Sequence, residues 1–212
     1  MTTRTTYLDR VDDRLVRRAG SCAAAALYIA TCFVHLRAVA EDGGSSSLLF
    51  LIQISIVAWL FICRRPAMSF DTRPLHWIAA VGASFGPFLL QPAESSLMLV
   101  SMVGIPLQLT GILFSLAALL RLGKSFGIVA ANRGLVTSGP YGVVRHPAYL
   151  GYMLSELGFL MMNPTMTNGL LVAIVWILQV SRIVAEEKLL LADPGYLDYK
   201  DRVAKRLIPA VW

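Results

Sequence analysis

Apolar residues run in long blocks along this chain, separated by short polar segments. The blocks fall at about residues 20–39, 47–63, 75–90 and 97–120, and a longer one extends over 148–184. A helix needs about 20 residues, range 17–25, to cross a hydrocarbon core of about 30 Å. The second and third blocks are near the short limit. The last is too long for one straight span. Asn163-Pro164 interrupts it and residues 165–168 are turn-prone, which predicts a helical hairpin with arms of about 148–162 and 167–187. Pro106 falls inside the fourth block, where a kink is tolerated if neighbours satisfy the freed carbonyl. Residues 1–18 differ. Leu8, Val11 and Leu15 share a helical face among five arginines, so the segment reads either as an interfacial amphipathic helix or as a solvated tail.

The pattern predicts an all-α fold, a polytopic membrane helix bundle of about five to six transmembrane segments whose last two form the hairpin. Composition agrees: 56% of the 212 residues are hydrophobic and 15% charged, where a soluble domain carries about a quarter charged. The net charge of +6 is clustered in alternate loops. The N-terminal segment, residues 64–74, the connector 121–145 and the C-terminal tail are basic, whereas the other loops hold Glu41 with Asp42, or Glu94, or no charge, with Arg37 the one cation there. By the positive-inside rule both termini are cytoplasmic. Three regions follow: a cytoplasmic amphipathic segment 1–18, a four-span scaffold 19–120, and a region 121–212 that carries the chemistry.

Several function classes drop out. Cys22, Cys32 and Cys63 lie in apolar segments without metal or disulfide spacing, so no metal site is expected. The basic residues lack the aromatic interleaving of a nucleic-acid surface. Residues 19–40 are too long for a cleavable leader and read as a retained span.

Candidate chemistry concentrates between Gly139 and Gly151, GPYGVVRHPAYLG. Pro147 suits the first turn of a helix, which puts Arg145 and His146 at its N-terminus, a place that favours anions. A helix cap and an interfacial tyrosine are the bland reading of His146 and Tyr149. Their combination with Arg145 and a glycine-rich approach favours a bound carboxylate or phosphate. Tyr149, Met153 and Glu156 follow on about one face. A carboxyl at the depth of Glu156 should face the bundle, for function or for a structural hydrogen bond. The far arm ends in Arg182, Glu186, Glu187 and Lys188. Arg182 and Glu186 are spaced to pair, and an antiparallel hairpin returns both glutamates to the level of Arg145 and His146. The tail, with Tyr196, Tyr199, Arg202, Lys205 and Arg206, can lie on anionic headgroups or fold over the site.

These residues together resemble the isoprenylcysteine carboxyl methyltransferase family and its relatives, the phospholipid N-methyltransferases. The resemblance rests on Arg145-His146-Pro147-Ala148-Tyr149-Leu150-Gly151, on Glu186-Glu187 after the hairpin, and on the flanking LGKSF, LVTSGPYGVV and YLDYKDRV stretches. It covers residues 118–209 and implies S-adenosylmethionine as methyl donor. Leu135, Gly139, Pro140, Tyr141 and Arg145 would line its pocket. His146 and Tyr149 would hold the methionine end, Glu186 and Glu187 the nucleoside. Arg202 matches a tail arginine that orients a substrate carboxylate. Glu187 or Glu156 would accept a proton if the acceptor were an amine. The resemblance implies carboxyl O-methylation of the isoprenylcysteine type on a lipid-like or amphiphilic small-molecule acceptor, with phospholipid or amine N-methylation as the alternative, membrane lipids as partners and no obligatory protein partner. The short, arginine-rich chain suits a bacterial member in the inner membrane with its site facing the cytoplasm. A membrane sterol-type reductase using NADPH shares the RHPxY-like stretch, but the glutamate pair and the YKDRV tail favour methyl transfer. A transporter would distribute its polar groups across the bilayer.

Overall fold

The computed structural model describes residues 55–60, 62–63, 69–70, 73–91, 93, 98–128, 131–132 and 134–208, with six single helical positions between 26 and 40. The chain divides into two compact units, Met1–Arg64 and Arg65–Trp212. In the first, residues 55–60 and 62–63 are helical, with Leu60 buried and Trp59 and Ile62 exposed. The amphipathic segment expected over 1–18 lies outside the described residues.

In the second unit a two-residue strand β1 (Ser69–Phe70) precedes helix α1 (Pro74–Phe85). Pro74 starts α1 because its fixed φ suits the first turn and its missing N–H would have had no helical partner. Helix α2 (Met98–Leu122) contains Pro106. The Thr110 hydroxyl donates to the Pro106 carbonyl at 2.7 Å, four residues away. A connector with strand β2 (Ala131–Asn132), paired antiparallel to β1, leads to α3 (Pro147–Met162) and α4 (Met166–Leu190). A short helix α5 (Pro194–Arg202) follows, its start capped by the Asp193 side chain, which accepts from the Gly195 N–H at 3.0 Å. The fold is helical as expected, apart from the β1–β2 pair.

The long last block is therefore two arms, broken where the sequence places Asn163-Pro164. Two buried asparagines satisfy the backbone freed at this break. Asn163 Nδ2 donates to the Phe159 carbonyl at 2.9 Å, and its Oδ1 accepts from the Ala93 N–H at 2.8 Å. Asn168 Nδ2 donates to the carbonyls of Gln91 and Asn163 at 2.8 and 2.9 Å. Such pairing is what an apolar surrounding demands of exposed backbone.

Helix α3 packs chiefly on α2, through glycines. A Cβ at Gly111 would stand 2.3 Å from Ser155 N, and one at Gly158 would stand 2.5 Å from Gln108 N. Small residues let the backbones touch, which in lipid replaces the hydrophobic drive for association. Helix α1 packs on α4, where Gly82 makes room for the Leu178 side chain and Gly86, just past the end of α1, for that of Val175. Among the described residues, Met102–Ser125 and Met166–Leu190 are long and apolar enough to cross a membrane. Leu113 and Leu120 on the first, and Ile174 and Ile177 on the second, remain exposed, as lipid-facing side chains would.

Candidate functional site

Pro147 occupies the first position of α3 and His146 stands just outside it. Their helix mouth is stitched to the tail by main chain: Arg145 N–H donates to the Lys205 carbonyl and His146 N–H to the Arg206 carbonyl, each at 2.9 Å. Arg145 completes the join. Its Nε and Nη2 both lie 2.8 Å from Glu187 Oε1, and its Nη1 donates to the carbonyls of Val203 and Ala204 at 2.7 Å. Arg206 Nε donates to the other Glu187 oxygen at 2.8 Å. Glu187 is thus the hub of a buried ion-pair network, with His146 Nε2 3.3 Å from the same Oε1.

Its neighbour points elsewhere. Glu186 accepts the Tyr149 hydroxyl, and its second oxygen stands 3.9 Å from His146 Nδ1. The Tyr149 ring is edge-on to His146, with centroids 5.7 Å apart, and the Arg182 guanidinium lies 5.1 Å from the Tyr149 centroid. Arg182 also donates to the Ile128 carbonyl at 2.6 Å and reaches Ser84 Oγ at 3.2 Å. The rung expected between Arg182 and Glu186 thus takes another form: both converge on Tyr149.

These groups wall a cavity of about 130 Å³. Helix α2 contributes Leu119 and Leu122, the connector Phe126, Leu135 and Tyr141, and the head of α3 His146, Tyr149 and Tyr152. Glu186 and Arg182 enter from α4, and Tyr196 and Tyr199 from α5. The Tyr199 hydroxyl donates to the Tyr141 carbonyl at 2.7 Å, which ties the tail helix to the connector. Burial pushes the Tyr199 phenol up to about 12, against the pull of Arg145 and Arg202, so it keeps its proton and remains a donor. Burial likewise holds the Tyr141 phenol well above its ordinary range.

Of the residues singled out from sequence, Leu135, Tyr141, Arg145, His146, Tyr149 and Glu186 line this cavity. Five stand elsewhere. Gly139 has φ +66, a left-handed turn position suited to glycine, and faces the Arg121 side chain. The Pro140 carbonyl accepts from Val143 and Val144 N–H. Both shape the turn that delivers Tyr141. Glu187 lies behind the wall, in its ion-pair network. Glu156 is buried below the cavity, its carboxylate accepting from Trp176 Nε1 at 2.7 Å and Gln179 Nε2 at 3.0 Å. Arg202 is exposed at the end of α5, its Nε 3.4 Å from the Asp198 carbonyl. As placed it does not enter the cavity. Tyr152, missed from sequence, follows Tyr149 by three residues on one helical face, as Tyr199 follows Tyr196; that spacing was the available signal.

Residues 102–192, from α2 to the end of α4, match the isoprenylcysteine carboxyl methyltransferase (ICMT) family. Over that region the chain is similar to the ICMT family. A protein-S-isoprenylcysteine O-methyltransferase of Schizosaccharomyces pombe is 37% identical over 95 residues, 41% of this chain and 40% of the relative. The Arabidopsis thaliana protein-S-isoprenylcysteine O-methyltransferase A is 34% identical over 114 residues, 50% of this chain and 57% of that one. A solved structure of a eukaryotic intramembrane Ras methyltransferase ICMT superposes with a TM-score of 0.51 at 22% identity, covering 90% of this chain and 77% of that one. That likeness establishes a shared fold. This chain therefore spans about half the length of those two named relatives. They are eukaryotic and lend no support to the bacterial source expected from the sequence.

Proposed function

We propose that this chain is an integral membrane methyltransferase that uses S-adenosylmethionine to esterify the carboxylate of an S-isoprenylated cysteine. The observation that carries the reading is Glu186, a partly exposed carboxylate held by Tyr149 in a wall of aromatic rings. That donor set fits the methyl donor, which carries a sulfonium cation, an ammonium group and ribose hydroxyls. Carboxylates and tyrosine faces attract cations, and a carboxylate accepts hydroxyl hydrogen bonds. When bound, S-adenosylmethionine would supply an electrophilic methyl group.

Leu135, Tyr141, His146, Tyr149 and Glu186 would hold the donor. His146, Tyr149 and Glu186 touch one another, so we assign all three to the same end of it. Arg145, Glu187 and Arg206 hold the tail against the helix mouth and so close the site from behind. The protein's task in such a transfer is positioning and the exclusion of water.

The acceptor reading follows the names of the relatives, which specify protein-bound isoprenylcysteine rather than the free amphiphile expected from sequence. A carboxylate acceptor needs no general base, whereas an amine needs a proton acceptor. Glu156 and Glu187 already accept hydrogen bonds and stand outside the cavity wall, which favours the carboxylate over phospholipid N-methylation. The basic loops of the sequence support a site on the cytoplasmic side of the membrane.

The test supplies methyl-labelled donor with farnesylated N-acetylcysteine or with phosphatidylethanolamine vesicles. Base-labile label on the farnesylated cysteine is expected. Label only on the lipid amine would move the reading to N-methylation.

A further inference from the structure

We propose that Glu156 is a positioning residue: through Trp176 and Gln179 it fixes the register of α4 on α3 and so holds Glu186 against Tyr149. The inference rests on the reading above, in which Glu186 and Tyr149 bind ligand. Glu156 is buried in α3, a costly place for a carboxylate. Both of its oxygens are used: Oε2 accepts from Trp176 Nε1 at 2.7 Å, and Gln179 Nε2 lies 3.0 Å from Oε1 and 3.3 Å from Oε2. Both donors belong to α4.

The spacing gives the cluster its significance. Tyr149 precedes Glu156 by seven residues on α3, and Glu186 follows Gln179 by seven on α4. The arms are antiparallel, so the Glu156–Gln179 and Tyr149–Glu186 contacts are two rungs separated by the same two turns on each helix, about 10.5 Å. Because α3 packs chiefly on α2, few contacts set its register on α4, and the lower rung is a principal one. A slip there displaces the upper rung with it, since a helix transmits translation along its axis.

Two variants separate register from charge. In Glu156→Gln the amide keeps an acceptor for Trp176 and gains Gln179 Oε1, a buried oxygen without a hydrogen-bond partner among the described residues. Glu156→Leu removes the rung. Hydrogen–deuterium exchange of the segments around 146–150 and 186–190 reads the geometry without ligand, and calorimetry with S-adenosylhomocysteine reads the site. Glu156→Leu should speed exchange in both segments and weaken binding about tenfold or more, the scale of a small misplacement, while Glu156→Gln stays within about threefold of the parent. Unchanged exchange in Glu156→Leu, or equal losses in both variants, overturns the inference. If Glu156→Leu does not fold, Gln179→Leu takes its place, with faster exchange supporting the inference and unchanged exchange overturning it. A parent protein that ignores the homocysteine analogue refutes the donor reading instead, and the exchange data still decide the role of Glu156.

Discussion

Arg145 lies 2.8 Å from Glu187, 42 residues away in sequence, and both side chains are almost fully buried. The cation that the sequence aims at a ligand lines the cavity and also joins the tail to the helix mouth. With Arg206 on the second carboxylate oxygen and two tail carbonyls on the guanidinium, the pair is satisfied on every side. The head of α3, the end of α4 and the tail to Leu207 are thereby joined.

Arg145→Ala should cost about 3 kcal/mol in unfolding free energy, because it removes the guanidinium from the buried Glu187 Oε1 and leaves two tail carbonyls without their donor. The double variant Arg145→Ala with Glu187→Ala should recover part of that loss. Denaturant unfolding in detergent measures both. Simple additivity would mean that the two residues act independently.

Glu186→Gln and Tyr149→Phe each remove one charge or one hydroxyl from the cavity wall. Each should weaken S-adenosylhomocysteine binding by about ten- to a hundredfold, the value of a charge-assisted hydrogen bond. Melting temperature should move little, since Glu186 is partly exposed. Titration calorimetry and a thermal melt on the same sample check this.

Arg202→Ala tests the placement of the tail arginine. An exposed side chain whose nearest hydrogen-bond acceptor is the Asp198 carbonyl should change stability by no more than about 0.5 kcal/mol on truncation. Donor binding and carboxylate turnover should stay close to the parent. A large fall in turnover with intact binding would return Arg202 to the acceptor site.

Gly111→Ala should destabilise the bundle by about 2 kcal/mol or more, because the new methyl meets backbone rather than a yielding side chain. Gly169→Ala, where a Cβ meets nothing within 4 Å, is the matched control. Thermal unfolding compares the two.

The hairpin was legible because its signals are local: Asn163-Pro164 breaks α3 from α4 where turn chemistry demands it. The helix mouth was legible for the same reason, through Pro147. Which of two adjacent glutamates faces the cavity was not, because it depends on the rotation of α4 and on where the tail returns. Glu187 turns to Arg145 and Arg206, leaving Glu186 for Tyr149. The partner of Glu156 was likewise hidden: its depth shows that it needs one, and only packing of α4 supplies Trp176 and Gln179.

The most direct test of the donor site is titration calorimetry of the purified, detergent-solubilised protein with S-adenosylhomocysteine and, separately, with NADPH. Saturable binding of the homocysteine analogue, weakened by Glu186→Gln, and no heat from NADPH is the predicted result. Saturable binding of NADPH with none of the analogue would contradict it.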